Sequence, residues 1–287
     1  MCSCRIGVLL ASLMWLSCNA AGAADANNWL VSLGAQVDDD GSAGYGLGID
    51  WGVTNTTWLS MSGGLGRSPA DLADVSTRSA AVGLEQRIGP VGFFLGVESW
   101  GDPDDLESLD WAGSLYLQGE RYRVGFKGER REIDITFTIT GPLGNRLQRT
   151  ADVGADGVGA LVSFDVAQRW RVYLDGMRYG YSRDLTVLPR LEVFDFLSSS
   201  ALTLSNSFID VEWGAGLDYE LGEKVLSLQW RHNRSAVDRS ELRSLAASFV
   251  WPAAERWDAV VSLGVSDAQD LDGTLFGGVL LLFYGGG

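Results

Sequence analysis

The sequence predicts an all-β fold: an antiparallel transmembrane β-barrel of 14 strands, with 16 or 12 as alternatives. Three observations predict it. First, residues 205–233 read SNSFIDVEWGAGLDYELGEKVLSLQWRHN. Apolar and polar residues alternate there with period two on both sides of a tight turn, Leu221-Gly222-Glu223-Lys224, as in a β-hairpin with one apolar and one polar face. Second, the pattern recurs along the chain, with aromatics near the ends of apolar faces and full charges and glycines on the polar faces. A soluble sandwich buries its apolar face in a core, whereas a membrane barrel turns that face to lipid and its charges to a lumen. Third, short and long connections alternate, the asymmetry of a barrel with turns on one side of a membrane and loops on the other.

Residues 1–24 read as a secretory signal. Arg5 is the only charge before Asp25, Ile6–Leu16 is an apolar segment too short to span a bilayer, and Ala21-Gly22-Ala23 is a small-residue cleavage site. A lipid-modified Cys18 is the rival reading, and Trp15-Leu16-Ser17 fits it poorly. Residues 25–287 then form a single barrel domain. Cys2, Cys4 and Cys18 all lie in the signal, so the mature chain is expected to hold no disulfide and no thiolate metal site. Without Arg5 there are 21 Lys and Arg against 37 Asp and Glu, a net charge of −16. That disfavours nucleic acid as a partner. Glycine is 37 of 287 residues, against an ordinary ~7%, and it recurs inside strands, as in Gly44-Tyr45-Gly46-Leu47-Gly48. No stretch after the signal reaches the length of a helical membrane span.

In chain order, Trp29, Val31, Leu33, Ala35 and Val37 form the first apolar face, and Asp38–Gly41 a turn. Tyr45, Leu47, Ile49, Trp51 and Val53 follow, then Thr57, Leu59, Met61 and Leu65. Ala80, Val82, Leu84 and Ile88 come after a polar loop, and Val91, Phe93, Leu95 and Val97 after Gly89-Pro90. Trp111, Leu115 and Leu117 close this part. Later strands cover Trp170–Tyr181, the hairpin above, Leu245–Trp251, Trp257–Val265 and 272–284; the last is apolar on both parities. All six prolines are expected in connections, where no ladder hydrogen bond is lost.

Residues 121–166 are harder. Tyr122, Val124 and Phe126 share one parity, but Ile133, Ile135, Phe137 and Ile139 share the other. Ala151, Val153 and Ala155 likewise switch to Val158, Ala160, Val162 and Phe164. Paired β-bulges at Gly128–Arg131 and Asp156-Gly157 in one long hairpin account for both switches and yield 14 strands. Tight turns at the same places yield 16.

Signal segment, cysteine-free mature chain, alternating Gly- and aromatic-rich strands and the C-terminal Phe283-Tyr284 together resemble the Gram-negative outer-membrane β-barrels. The resemblance is architectural and spans residues 25–287. It implies export to the cell outer membrane and contact with outer-membrane lipid.

Little in the sequence points to catalysis. His232 is the only histidine. Its parity puts it on the lipid side near a loop, away from the serine and carboxylate that a hydrolase would need beside it. The acidic runs Asp38–Asp40 and Asp102–Asp105 read as solvated loop charge rather than a Ca²⁺ site. No cofactor, metal site or enzyme activity is expected. The polar parities instead place Asp50, Glu98, Asp110, Arg121, Arg123, Arg171, Asp175, Asp210, Glu212, Asp218 and Arg231 in a lumen. Charges of both signs there line a water-filled pore or neutralise one another in a plugged interior. The longest connection, 183–204, is apolar. Its Leu188, Leu191, Phe194 and Phe196 would not stay in solvent, so the loop is expected to constrict the mouth or dock a partner. The leading expectation is a porin-like channel for small polar or cationic solutes or polymer export. The alternatives are a structural barrel that docks a periplasmic or surface protein and, more weakly, a lipid-acting barrel enzyme.

Overall fold

The computed structural model describes residues 28–69, 75–102, 106–140, 146–183, 185, 208–268 and 273–286. The proposed signal, residues 1–24, lies outside them. Fourteen strands follow in order: β1 (Trp29–Asp38), β2 (Ala43–Thr54), β3 (Thr57–Ser68), β4 (Val75–Ile88), β5 (Val91–Asp102), β6 (Leu106–Gln118), β7 (Tyr122–Thr140), β8 (Arg146–Ala167), β9 (Trp170–Tyr181), β10 (Ile209–Leu221), β11 (Lys224–Ser235), β12 (Glu241–Ala254), β13 (Trp257–Ala268) and β14 (Thr274–Gly285). Each pairs antiparallel with its sequence neighbours, and β14 closes on β1 from Trp29↔Gly285 to Asp38↔Phe276. Closure leaves no strand edge unpaired, which is what lets a sheet sit in hydrocarbon.

The outer face is apolar around the circumference. Leu33, Leu47, Met61, Leu95, Leu115, Phe126, Leu174, Leu228, Leu263 and Val279 are all exposed. Trp29, Trp51, Tyr122, Trp170 and Trp251 ring this belt at the short-turn end, and Tyr45, Trp111, Trp213 and Trp230 ring it toward the long loops. Two such girdles mark the interfaces of a membrane-spanning barrel. Cross-strand ring pairs tie the lower girdle: Trp170 lies 4.3 Å from Tyr219 and Trp257 stacks 6.2 Å from Phe283, centroid to centroid.

The short-turn side uses two-residue hairpins at Asn55-Thr56, Gly89-Pro90, Gln168-Arg169, Gly222-Glu223 and Glu255-Arg256. Gly89 (φ 59°) and Gly222 (φ 71°) supply the left-handed backbone that tight turns demand. On the other side, Asp38 caps its turn by accepting from the Asp40 and Ser42 amides at 3.1 and 2.8 Å. Asp39 accepts from the Leu275 amide and Asp40 from the Thr274 hydroxyl, both at 3.0 Å. Those carboxylates hold the β1–β2 turn to the start of β14. In the other acidic run, Asp102 accepts from the Ser76 amide at 3.2 Å, and 103–105 lie outside the described residues.

The structure corrects two of these expectations. The β7–β8 ladder runs unbroken from Tyr122↔Phe164 to Thr140↔Arg146, with no bulge at Gly128–Arg131 or Asp156-Gly157. The backbone keeps its parity; what changes is the surroundings of each face. Below the switch Phe126 and Val158 point outward to the belt, while above it Glu132, Asp134, Asp152 and Asp156 point outward to water, and Ile133, Ile135 and Val153 point inward and are buried. Pro252 lies within β12, at the irregularity between Pro252 and Ala254, rather than in a connection; a bulge is one of the few places a strand proline costs no ladder bond. A real bulge also lies between Ile209 and Val211 in β10. It turns Ile209 away from the outward set of Val211 and Trp213 and packs it with inward Met177 and Tyr179.

Candidate functional site: the lumen and its mouth

The inner face is divided into two unlike walls. On β4–β11 it is charged. Near the short turns, Tyr116 donates its hydroxyl to Glu85, and the Arg123 guanidinium stands 3.7 Å over the Tyr116 ring and 3.9 Å from Glu85. Asp218, Arg171 and Asp165 form a row across three strands, with Arg171 bonded to Asp165 at 2.7 Å. Higher up, Lys127 pairs with Asp175 at 2.8 Å and Arg231 with Glu212 at 3.1 Å.

The densest part of this wall centres on Arg131, which is 8% exposed. Its guanidinium meets Glu129 two residues back on the same strand face, lies 3.6 Å from Asp110, and donates to the Tyr179 hydroxyl at 3.0 Å. Tyr179 in turn donates to Glu129 at 3.1 Å, and Asp110 accepts from the Trp100 indole at 2.9 Å and from the Ser108 hydroxyl. Five side chains from β5, β6, β7 and β9 thus satisfy one another around a buried cation. Burial of such a group is tolerable only with this completeness.

Glycines let the inward aromatics lie flat against the wall. A β-carbon at Gly92 would run into the Tyr116 ring, one at Gly157 into Tyr179, and one at Gly216 into Tyr173. Each ring covers a neighbouring-strand glycine instead of reaching across the lumen.

The second wall, β12–β14 with β1, is largely uncharged. Leu30, Val260, Leu280 and Leu282 form a buried inward cluster against Val250, and Phe276 packs on Ala246 higher up. Because both parities of β14 are apolar, its two faces can meet lipid outside and this cluster inside. Asp258, which accepts from the Tyr284 hydroxyl at 2.8 Å, is the inward carboxylate at the short-turn end of this wall.

Above the Arg131 network the mouth on the long-loop side is filled by apolar side chains. Leu106, Ile133, Ile135 and Val153 from β6–β8 pack with Leu185, Phe208, Ala236 and Val237, with Trp100 and Tyr181 against them. Phe208 is fully buried and Leu185 2% exposed. Leu185 and Phe208 flank the long connection. Leu188, Leu191, Phe194 and Phe196 lie outside the described residues.

Of the candidate lumen residues, Asp50, Glu98, Asp110, Arg123, Arg171, Asp175, Glu212, Asp218 and Arg231 project from the inner face. Asp50 and Glu98 make no ion pair among the described residues. Two candidates are placed elsewhere. Arg121 is exposed in the turn between β6 and β7, at the short-turn rim. Asp210 sits at the β10 bulge and accepts from Arg234 at 2.6 Å and from Arg239, at the outer rim. Sequence reading missed Arg131 and Glu129 because the assumed bulge ended the inward parity before them. Carrying the Arg123–Lys127 parity forward would have found both.

His232 is on the outer face, edge-on to Trp230 at 6.1 Å and 3.8 Å from Glu241. Its register neighbours are Trp213 and Arg243.

No protein-family model matches the chain, and no curated protein matches it either. Solved structures match its fold. The CymD monoaromatic hydrocarbon channel is similar with a TM-score of 0.56 at 9% identity, over 96% of this chain and 93% of that one. A FadL homologue of Pseudomonas aeruginosa has a TM-score of 0.54 at 8% identity, covering 89% and 88%. OmpT, an outer membrane protein of Vibrio cholerae, has 0.51 at 8% identity, covering 90% and 96%. The chain has the closed antiparallel β-barrel fold of these outer-membrane proteins.

Proposed function

We propose that this chain is an outer-membrane channel that passes small polar or cationic solutes, with its long-loop mouth closed at rest by the apolar cluster around Phe208. The observation that carries the reading is the inner face of β4–β11. Charge continues there from one girdle to the other, and Glu98 on β5, like Asp50 on β2, makes no ion pair among the described residues. A wall with surplus negative charge raises the local concentration of cations and repels anions. Leu185 and Phe208, which flank the long connection, support the constriction: both are buried in the apolar cluster at the mouth. Apolar constrictions of this kind close pores by excluding water.

Single-channel recording of refolded protein in planar bilayers tests this. Wild type gives rare openings, and Phe208→Ser with Leu185→Ser raises the open fraction. In a salt gradient the reversal potential has the sign of a cation-preferring pore, and Asp50→Asn with Glu98→Gln moves it toward zero. If neither wild type nor the mouth variant conducts, the channel reading falls, and a structural barrel that docks a partner through its mouth stands in its place.

A further inference from the structure

Above the upper girdle, the outward charge is segregated by sector. On β6–β8 the outward residues are Glu107, Glu132, Asp134, Asp152 and Asp156, with Arg130 among them. On β9–β12 the sign reverses, in a chain whose formal net charge is −15. Arg178 and Arg234 flank Val211 on adjacent strands, and Arg243 stands opposite His232 on the next pair. Arg239, in the turn after β11, completes the group. It is the only non-glycine with positive φ among the described residues, at 65°.

These cations outnumber their partners. Arg234 and Arg239 share the single carboxylate of Asp210, while Arg243 at 2.7 Å and His232 at 3.8 Å share Glu241. Three guanidiniums therefore share two carboxylates and a fourth, Arg178, pairs with none among the described residues; the turn's other carboxylate, Asp238, accepts from the Ser240 amide and hydroxyl. The side chains stay open to the surroundings: Arg234 is 40%, Arg239 58% and Arg243 60% exposed. Trp213 and Trp230 lie directly beneath, at the level where aromatic girdles meet headgroups. A guanidinium fork matches two phosphate oxygens at once.

We infer that the β9–β12 rim of the outer face binds the phosphate-bearing headgroup of a lipid in the leaflet on the long-loop side. The acyl chains would run down the apolar belt below Trp213 and Trp230. The acidic β6–β8 sector repels the same headgroup, so bound lipid is confined to one side of the barrel. This site is independent of whether the lumen conducts.

Native mass spectrometry of the refolded full chain in detergent tests it, with phosphatidic acid, phosphatidylcholine and inorganic phosphate as separate probes. Wild type retains phosphatidic acid in preference to phosphatidylcholine and does not retain inorganic phosphate. Arg178→Gln and Arg243→Gln each weaken phosphatidic acid binding roughly fivefold, the change expected for one basic residue near an anionic surface. Arg178→Gln breaks no ion pair among the described residues, so a folding defect does not confuse its result. Glu132→Gln on the opposite sector leaves binding unchanged. Equal retention of both lipids, an equal loss in Glu132→Gln, or inorganic phosphate binding as tightly as lipid would overturn the assignment; the last would make it a free-anion site.

Discussion

The lower and upper halves of the β7–β8 hairpin have one backbone and opposite chemistry. In the lower half Phe126 and Val158 face outward while Lys127 faces the lumen and its partner Asp175. In the upper half Glu132 and Asp134 face outward while Ile133 and Ile135 face inward. The unbroken register shows that no residue was inserted to reverse the pattern. The difference lies in what surrounds the barrel: an apolar belt outside and inward charges within for the lower half, outward charges and a packed apolar cluster within for the upper. The Arg131 network sits where the two regimes meet. It is polar enough to end the lumen wall and complete enough in its bonding to sit beneath the cluster.

That comparison can be broken at its junction. Arg131→Ala leaves Asp110 and Glu129 as buried carboxylates without their cation, and we expect a loss of about 3–5 kcal/mol, read from urea unfolding of the refolded barrel in vesicles. A loss under about 1 kcal/mol would mean that water reaches this level and that the cluster does not seal it. Next in size is the cluster. Ile133→Ala removes a side chain that is 1% exposed and should cost about 2–5 kcal/mol, the range for a cavity in a packed core. The same variant should open the mouth, raising conductance alongside the instability.

Two substitutions on the outward face of β7 then sharpen the contrast between lipid and water. Phe126→Arg puts a charge into the apolar belt and should destabilise by about 2–4 kcal/mol if that position lies near the membrane midplane. Asp134→Asn lies on the same face, four residues beyond Arg130 in the water-facing half, and should change stability by no more than about 0.5 kcal/mol, as surface positions usually do. Heat-modifiable gel migration and vesicle unfolding of the two variants side by side would show the step. Equal effects would place the membrane boundary elsewhere.

Much of the fold was legible because a membrane barrel exposes its logic in local sequence. Period two identifies the strands, and charge on the polar parity of β9–β11 marks the lumen. Tight turns carry glycine where φ must be positive, as at Gly89 and Gly222. The reading went astray where it took apolar to mean outward. At Ile133, Ile135 and Val153 that rule holds only inside the membrane, and the sequence alone did not mark where the membrane ends. It also gave no sign of the bulge between Ile209 and Val211, which turns Ile209 inward against Met177 and Tyr179.

The site was legible as a set of inward charges but not as partnerships. Lys127 and Asp175 are 48 residues apart in sequence, and Arg131 and Tyr179 likewise. Their pairing depends on strand register across two interfaces, which alternation does not specify. The basic rim was invisible for the same reason, since Arg178, Arg234 and Arg243 gather only when β9–β12 are laid side by side.

By itself the sequence determined the class: strands of period two, connections of alternating length and charge kept to one parity, because each is imposed by backbone geometry and by the solvent on either face. Only the tertiary structure decided the number of strands, the apolar cluster at the mouth, the division of the lumen into charged and apolar walls and the ion pairs within it. Those depend on register and closure, which bring together residues that no local pattern relates.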